Sequence, residues 1–599
     1  MEYFFGIDAD EENGLFLVNL PNTYPWEKEL EIRRCPYLQK DVIKRCYVGA
    51  FSSETLDFLN TLKDLNWSPA AEDVKKYIAL RTVFRDRANK LKDYFLEHNA
   101  VLPQFDITAP FKTVPYTHQK VALVASLLQP GMALLMEMGT GKTKVSIDRA
   151  CYELWKGNSK WYRMVIVAPK SILDNWEQEF EKHTWVPYNA LVLRGTTNAK
   201  ADDIIETFIP TSAELLKKHA KLLSAIIVNY EALDKLKYMF SVLRPNLVIF
   251  DETSQVKNPS AKRTKASLEL RSFCEAGMIL NGTAISKSPL DLWSQFELAE
   301  KGTLGFRSFN AYKNRYSFQI GRYQSEQQNI PELKAKVAQA AFIITKKDCL
   351  DLPERVYMRR NVEMTIEQKN AYTSLKEELV FEMRSYLKEH RDDNPAIMAQ
   401  HILTQMLRLE QVTSGFIQDR RQGFKVHFTP NPKTVELNEM LESVGGKIII
   451  WCRFVENILH LQENLNGSCA VLYGEVPTGD RQNIVNDFNE TENKRILIGH
   501  PQVAGFGLNI VGTEQSPVNT VVRYSHDFNY TWVKQSDDRC HRVGMHSNKV
   551  TYVNLVVPNS IDTYILKNLA QKEQLAGEFK DPRTMQEVED ILDVFDEEM

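Results

Sequence analysis

No run of about 18 or more apolar residues interrupts this 599-residue chain, so no ordinary membrane-spanning helix is expected. Paired cysteines are missing as well. The eight thiols stand singly at Cys35, Cys46, Cys151, Cys274, Cys349, Cys452, Cys469 and Cys540, with no CxxC. That spacing argues against a zinc site and a disulfide framework and fits a reducing compartment. A surplus of one charge is also lacking: 74 Lys and Arg face 78 Asp and Glu, for a net −4. The acids gather in the closing QEVEDILDVFDEEM, so the rest is near neutral and any polyanion contact must be a local patch. There is no low-complexity tract and no short internal repeat. The opening MEYFFGIDADEENG lacks the basic-then-apolar order of a secretory signal, so the expected location is cytoplasmic, not secreted.

What is present is length enough for three or four domains and two sets of short apolar runs. MALLMEM (132–138), MVIVAP (164–169), SAIIVNY (224–230), LVIFDE (247–252) and GMILNGT (277–283) form the first set. KIIIWC (447–452), CAVLYG (469–474), RILIGH (495–500), TVVRYS (520–525) and VTYVNLVV (550–557) form the second. Such runs predict buried strands of parallel sheets with helices on both faces, two α/β sheets in succession. Between them residues 300–440 are rich in helix formers, with Tyr372, Leu375, Leu379, Met383 and Leu387 at helical spacing. The first hundred residues predict a separate unit of weak strands followed by helices.

The chemistry begins at LLMEMGTGKTKVSI (134–147). Met136 stands where a generic phosphate loop has its first glycine, and GKT alone is a cheap match. Its placement between a strand and an amphipathic helix lets backbone N–H groups of Gly139, Thr140 and Gly141 cradle phosphate. Lys142 would then reach the terminal phosphates of ATP, and the Thr143 hydroxyl would hold Mg²⁺. In LVIFDETSQVKN the strand delivers Asp251 and Glu252 to its end, suiting Asp251 to the metal and Glu252 to the attacking water. In QSDDRCHRVG, Arg539 and Arg542 are three apart and are expected to share a helix face. Guanidinium groups there would neutralise charge on the γ-phosphate.

In this order the motifs resemble the Swi/Snf-like branch of the superfamily-two helicases, over roughly residues 105–575. PYTHQKVAL resembles the adenine-reading segment, with Gln119, and MEMGTGKT resembles a loop that also lacks the first glycine in that branch. IVAPKSILDNWEQEF resembles the DNA-contact motif, with Pro169, Lys170 and Trp176, and IIVNYEAL the motif after it. DETSQVKNPSAKRTKA, LNGTAISKSPLDLWSQF and HDFNYTWVKQSDDRCHRVG resemble three more, and SIDTYILKNLAQKEQL a bracing helix. FIITKKDCLDLPERV (342–356) resembles the connector between two helical protrusions.

The resemblance implies an α/β fold of two tandem RecA-like parallel-sheet lobes with helical protrusions between them, plus a small N-terminal α+β domain. The expected boundaries are an accessory domain at 1–100, lobe one at 101–300, protrusions and linker at 301–440, lobe two at 441–575 and an acidic tail at 576–599. The implied activity is a DNA-dependent ATPase with ATP and Mg²⁺ as cofactors. ATP would meet Gln119, Gly139, Thr140, Gly141, Lys142, Thr143 and Gln535, with Arg539 and Arg542 completing the chemistry. DNA would meet Pro169, Lys170, Lys257, Asn258, Gly282 and Thr283. The expected partner is duplex DNA, forked or branched forms included, read independently of sequence, with a protein partner at the N-terminal domain or the tail. The basic EIRRCPYLQKDVIKRC (31–46), with Tyr37, is a candidate DNA-binding surface. DETS in place of DEAH, and Phe506, Phe528, Tyr530 and Met545, depart from the family pattern and touch coupling more than nucleotide binding. The expected job is remodelling of forks, branches or joint molecules in replication, recombination or repair. Displacement of proteins from DNA and a non-catalytic DNA-binding scaffold are the alternatives. Retention of Lys142, Asp251, Glu252 and Arg542 argues against the scaffold.

Overall fold

The computed structural model describes residues 5–11, 15–21, 23–41, 43–282, 289–320, 324–350, 352–389, 395–418, 425–465, 469–492, 494–504, 508–542 and 544–575. Thr283, Phe506 and the acidic tail lie outside them. There are two compact units, 1–350 and 351–599. Among the described residues no helix is long and apolar enough to cross a membrane.

The first unit opens with an antiparallel sheet of β1 (Gly6–Asp10), β2 (Leu15–Asn19), β3 (Leu38–Asp41) and β4 (Cys46–Ala50), ordered β1-β2-β4-β3. Against it packs a thirty-residue helix, Pro69–His98. Ser68 caps its first turn by accepting from the Ala71 amide, Pro69 starts it without spending a hydrogen bond, and Asn99 ends it in the left-handed region. Its buried face, Ala71, Val74, Ile78, Arg81, Ala88, Leu91 and Phe95, keeps helical spacing.

This N-terminal sheet and helix are fastened to the segment after residue 299. Arg81 pairs with Glu300 at 2.5 Å, Glu54 with Lys336 at 2.9 Å and Asp41 with Arg307 at 3.0 Å. Tyr37, in the candidate DNA-binding stretch 31–46, is turned into this junction. Its ring lies 5.4 Å from Phe306, its hydroxyl donates to Glu332, and the Lys336 ammonium sits over its face. A half-buried tyrosine gains more from that apolar and cationic pocket than from water.

The main sheet of the unit is β5 (Gly131–Met136), β6 (Trp161–Ala168), β7 (Tyr188–Val192), β8 (Leu222–Asn229), β9 (Leu247–Asp251) and β10 (Ala276–Asn281), joined by a later edge strand. After β10 come helices Leu292–Ala299 and Phe309–Tyr316, the hairpin β11 (Ser317–Ile320) and β12 (Gln324–Gln327), and helix Ile330–Ala340. The chain then returns as β13 (Ala341–Ile344) beside β5, giving the order β13-β5-β10-β9-β6-β8-β7, every pair parallel.

The second unit is built on β14 (Arg355–Asn361), β17 (Lys447–Trp451), β18 (Cys469–Leu472), β19 (Ile496–Gly499), β20 (Val518–Arg523) and β21 (Val550–Val556), with the small hairpin of β15 (Phe416–Gln418) and β16 (Lys425–His427) between β14 and β17 in the chain. The sheet order is β14-β21-β20-β17-β19-β18, again all parallel, with apolar clusters on both faces. Long helices Ile366–Glu389 and Pro395–Thr413 project from it. Helix Ile561–Leu575 braces them: Ile561, Ile565 and Leu569 pack with Tyr372, Leu379, Met406 and Leu409. Asp562 on the brace is held by Lys433 at 2.7 Å and Thr413 at 2.8 Å.

The fold is therefore α/β with two RecA-like lobes. The expected 301–440 block divides differently from the sequence reading. The ends of the expected connector (342–356) fall in strands: its start belongs to the edge strand 341–344 of the first sheet, and its end to the edge strand 355–361 of the second. Edge strands need few apolar residues, which is why RVYMRRN, largely exposed, gives no strand signal.

Candidate nucleotide site and DNA-facing edge

In a parallel α/β sheet, ligands gather at the carboxyl ends of the strands. All the candidate residues of the first lobe that the structure describes, apart from Gln119, follow or end β5, β10, β9 or β6, on that one edge.

The turn after β5 runs to the helix Lys142–Lys156, with Gly139 at φ +83° and Gly141 at φ +92°. A Cβ at Gly141 would come within 2.2 Å of Gln119 Nε2, so both backbone and space demand glycine there. Gln119 is spent on this turn: its Nε2 donates to Thr140 O at 3.1 Å and its Oε1 accepts from the Tyr116 amide at 3.0 Å. His118 Nε2 donates to the same Thr140 carbonyl at 2.8 Å, and burial holds its pKa below the usual range, so the ring is neutral. Thr140 Oγ1 donates to Glu137 O at 2.7 Å, and Lys142 Nζ donates to Met136 O at 2.8 Å. Thr143 follows, partly exposed, in the first turn. These bonds tie the loop down and leave it opening into the amides that start the helix. The residues fit a bound polyphosphate.

Asp251 ends β9. Its Oδ2 accepts from Trp176 Nε1 at 2.9 Å and its Oδ1 from the Glu252 amide at 2.9 Å, while Tyr230 OH donates to its carbonyl at 2.7 Å. Burial pushes the carboxyl above its usual value; the Trp176 hydrogen bond and the Lys142 charge work the other way. Glu252 has φ +50° and ψ +57°, a left-handed backbone rare for a side chain of its size. Among the described residues there is no group of three or more His, Cys, Asp or Glu side chains placed to hold a metal. A single carboxylate beside a phosphate loop still suits Mg²⁺, which keeps water and takes phosphate oxygens as ligands.

Gly282, expected at DNA, lies on the nucleotide side. A Cβ there would meet Met138 Cγ at 2.6 Å and come within 3.8 Å of Lys142 Nζ. The cause is strand order: β10 pairs with β5, so its end abuts the phosphate loop.

The other half of the edge is cationic. Pro169 begins the turn Lys170–Ile172 after β6, and Lys170 is exposed. The neighbouring Lys200 is buried, donates to Asn229 Oδ1 at 2.5 Å, and has its pKa lowered by burial and then by the charge of Lys170. Lys257 and Asn258 follow the β9 turn and are exposed; Lys257 Nζ is 3.4 Å from Asp291. In the basic stretch beyond, Lys262 pairs with Asp234 at 3.0 Å.

In the second lobe Gln535 is buried in the helix Tyr530–Asp537. That helix stops at Asp538, so Arg539 and Arg542 lie in the turns after it and do not share a helix face. The reason is an inward pull. Asp537 pairs with Arg523, Asp538 with Arg355 at 2.7 Å, and His541 Nε2 donates to Pro353 O at 2.7 Å. Burial raises the Asp537 carboxyl to about 6 against the pull of Arg523 and Arg355. Arg539 is 3% exposed, with its carbonyl accepting from the Ile510 amide at 3.1 Å; Arg542 is half-buried.

Sequence reasoning missed Lys200, Tyr230 as an anchor for Asp251, and the role of Trp176, which it placed with the DNA motif. A helical amphipathic reading does show Trp176 on the buried face of Leu173–His183. Nothing in the sequence says that its indole finds a carboxylate.

Tandem parallel sheets, the first with a phosphate loop after β5 and a strand-end carboxylate pair after β9 on one edge, define the class: a core of the superfamily-two helicase type. The profile of the SNF2-related domain matches residues 79–415, and that of the helicase conserved C-terminal domain matches 432–544. The chain belongs to the SNF2-related family. Among its relatives an uncharacterized ATP-dependent helicase of Mycoplasma genitalium is 25% identical over 452 residues, 75% of this chain and 40% of the relative. An uncharacterized ATP-dependent helicase of Mycoplasma pneumoniae is 24% identical over 515 residues, 84% of this chain and 45% of the relative. The chain thus spans less than half the length of these curated relatives. Among solved structures, the Sulfolobus solfataricus SWI2/SNF2 ATPase core in complex with dsDNA is 23% identical, with 79% of this chain and 94% of that chain covered at a TM-score of 0.37.

Proposed function

We propose that the chain is an ATP-driven motor that moves along duplex DNA and hydrolyses ATP in response to it. One observation carries the reading: Lys142, Asp251 and Glu252 stand on the same sheet edge as the exposed Lys170 and Lys257, so nucleotide and backbone phosphate meet one rigid scaffold.

In this reading the amides of Gly139–Lys142 and the helix start hold the phosphates, and Lys142 exchanges the Met136 carbonyl for them. Gln119 keeps the turn in shape and His118 supports it. Thr143 and Asp251 are the residues that would hold Mg²⁺, which supplies charge neutralisation on the phosphates when bound. Glu252 orients the attacking water and accepts its proton. Arg539 and Arg542 are assigned to the γ-phosphate in a closed state, so that ATP favours closure and hydrolysis releases it. Pro169, Lys170, Lys257, Asn258 and Thr283 are assigned to DNA backbone, with Gly282 reassigned to the loop. Backbone contacts carry no base sequence, so movement should tolerate any sequence and weaken steeply with salt.

The finer proposal is that the motor remodels forked, branched or joint DNA, with the N-terminal module choosing the structure. Its docking by three ion pairs supports the idea, because a fixed module has a fixed reach from the motor. The test is ATP turnover on single-stranded, duplex, forked and four-way DNA of equal length. Stronger stimulation by forked and four-way DNA than by plain duplex is expected. Equal stimulation by all the duplex-containing forms removes the finer proposal and leaves the motor.

A further inference from the structure

The residue after the carboxylate pair belongs to a second network. Thr253 is fully buried, and its hydroxyl donates 2.7 Å to Gln295 Oε1. The same oxygen accepts from Asn281 Nδ2 at 3.3 Å, and Gln295 Nε2 donates to Asp291 O at 2.9 Å. Gln295 is 2% exposed and Asn281 5%. Gln295 sits among Leu292, Phe296, Leu298 and Ala299 on a short, deeply buried helix. A glutamine there is costly unless both ends of its amide are used, and here they are.

The network closes around the backbone of Glu252. A left-handed backbone at a residue other than glycine is strained and persists when its surroundings over-determine it. On one side Tyr230 holds the Asp251 carbonyl and Asp251 Oδ1 holds the Glu252 amide. On the other, the Gln255 amide donates to Glu252 O at 3.0 Å. Two consecutive residues of one helix then secure the turn Thr253–Val256: Gln295 takes Thr253 at its start, and Ser294 Oγ donates 2.7 Å to Lys257 O just past its end. Lys257 also pairs with Asp291 of the preceding turn. Asn281 brings in the end of β10, next to the phosphate loop.

We propose that Gln295 is a positioning residue for ATP hydrolysis. By fixing Thr253 it holds the strained backbone that aims the Glu252 carboxylate, and it links that aim to the helix on which Lys257 rests. The inference rests on Glu252 being the group that orients water. A glutamine that merely stabilised the core would leave turnover per folded molecule unchanged.

The experiment uses the full chain with Thr253→Val, Thr253→Ser, Gln295→Leu, the Val/Leu double variant and Glu252→Gln. It measures kcat and KM for ATP on saturating duplex DNA, affinity for a fluorescent ATP analogue, and the melting temperature. Thr253→Val and Gln295→Leu are expected to lower kcat about 10- to 100-fold with KM and analogue affinity unchanged. Thr253→Ser, which keeps the hydroxyl, should retain native kcat, and the double variant should be no slower than the slower single one. Thr253→Val is nearly isosteric and keeps the test open if Gln295→Leu fails to fold. Native kcat in Thr253→Val, or a loss that only tracks the unfolded fraction, overturns the proposal. Turnover retained by Glu252→Gln would overturn the reading beneath it. Turnover lost in Glu252→Gln but intact in Thr253→Val sinks this inference alone.

Discussion

Trp176 lies 75 residues before Asp251, and its indole N–H is the foremost interaction lowering the Asp251 pKa against the burial that raises it. Trp176→Phe keeps most of the packing and removes the donor. The carboxyl pKa then rises further, the charged form falls at any given pH, and the acid limb of the ATPase profile moves to higher pH with more Mg²⁺ needed. A pH–rate series at several Mg²⁺ concentrations checks this; an unmoved acid limb would remove Trp176 from the site. At this scale the sequence showed side chains that carry their meaning in local order: Gly141, Lys142 and Thr143 at a strand-to-helix turn, and Asp251 and Glu252 at a strand end. Trp176, Tyr230 and Lys200 were illegible in role because their partners are set by strand order, which brings β6, β8 and β9 together. No spacing in the chain encodes that adjacency.

All ten apolar runs of the sequence reading became strands, because a strand buried on both faces must be apolar throughout. In the two parallel sheets the strands that went unread are β7, β13 and β14, all on edges, where side chains are partly solvated or the run is only four residues long; the short hairpins β11–β12 and β15–β16, inside the block expected to be helical, went unread as well. Arg539 and Arg542 failed as a helical pair for another reason: three residues apart is a helical spacing only while the helix lasts. One element offers a pH test. His526, in the loop after β20, is buried with Nε2 against Leu555 O at 3.0 Å, and burial lowers its pKa to about 4. Unfolded histidine titrates near 6.5, so between those values the unfolded chain binds the extra proton. Its contribution to stability is present above about 6.5 and is lost as pH falls through about 4. His526→Gln can keep a donor to Leu555 and lacks the titration. Denaturant unfolding from pH 7 to 4.5 should show the native chain losing stability faster than the variant. Parallel curves would contradict the assignment.

The molecule as a whole couples a module at its start to the first lobe more tightly than the sequence suggested. Removing residues 1–100 would take Arg81 from Glu300, Glu54 from Lys336 and Asp41 from Arg307, and Tyr37 from Phe306. The truncated chain should melt about 5 °C or more lower, measured by scanning fluorimetry; an unchanged melting temperature would show that the junction contributes nothing. Changes in DNA preference are better sought with single substitutions of exposed residues in that module. The broad plan, two α/β sheets with helices between, was legible because it repeats one pattern over long stretches. The docking was not, since it depends on pairs such as Arg81–Glu300 and Tyr37–Glu332, whose members are some two hundred residues or more apart.

The central claim is that a phosphate loop on the first lobe drives turnover in response to DNA. Steady-state ATP hydrolysis by the native chain and Lys142→Ala, each with and without saturating duplex DNA, tests it most directly. The account predicts that duplex raises native turnover at least tenfold (on the order of a coupling free energy of 1.4 kcal/mol) and that Lys142→Ala shows neither basal nor stimulated turnover. Native hydrolysis indifferent to DNA, or a Lys142→Ala variant as fast as the native chain, would contradict it.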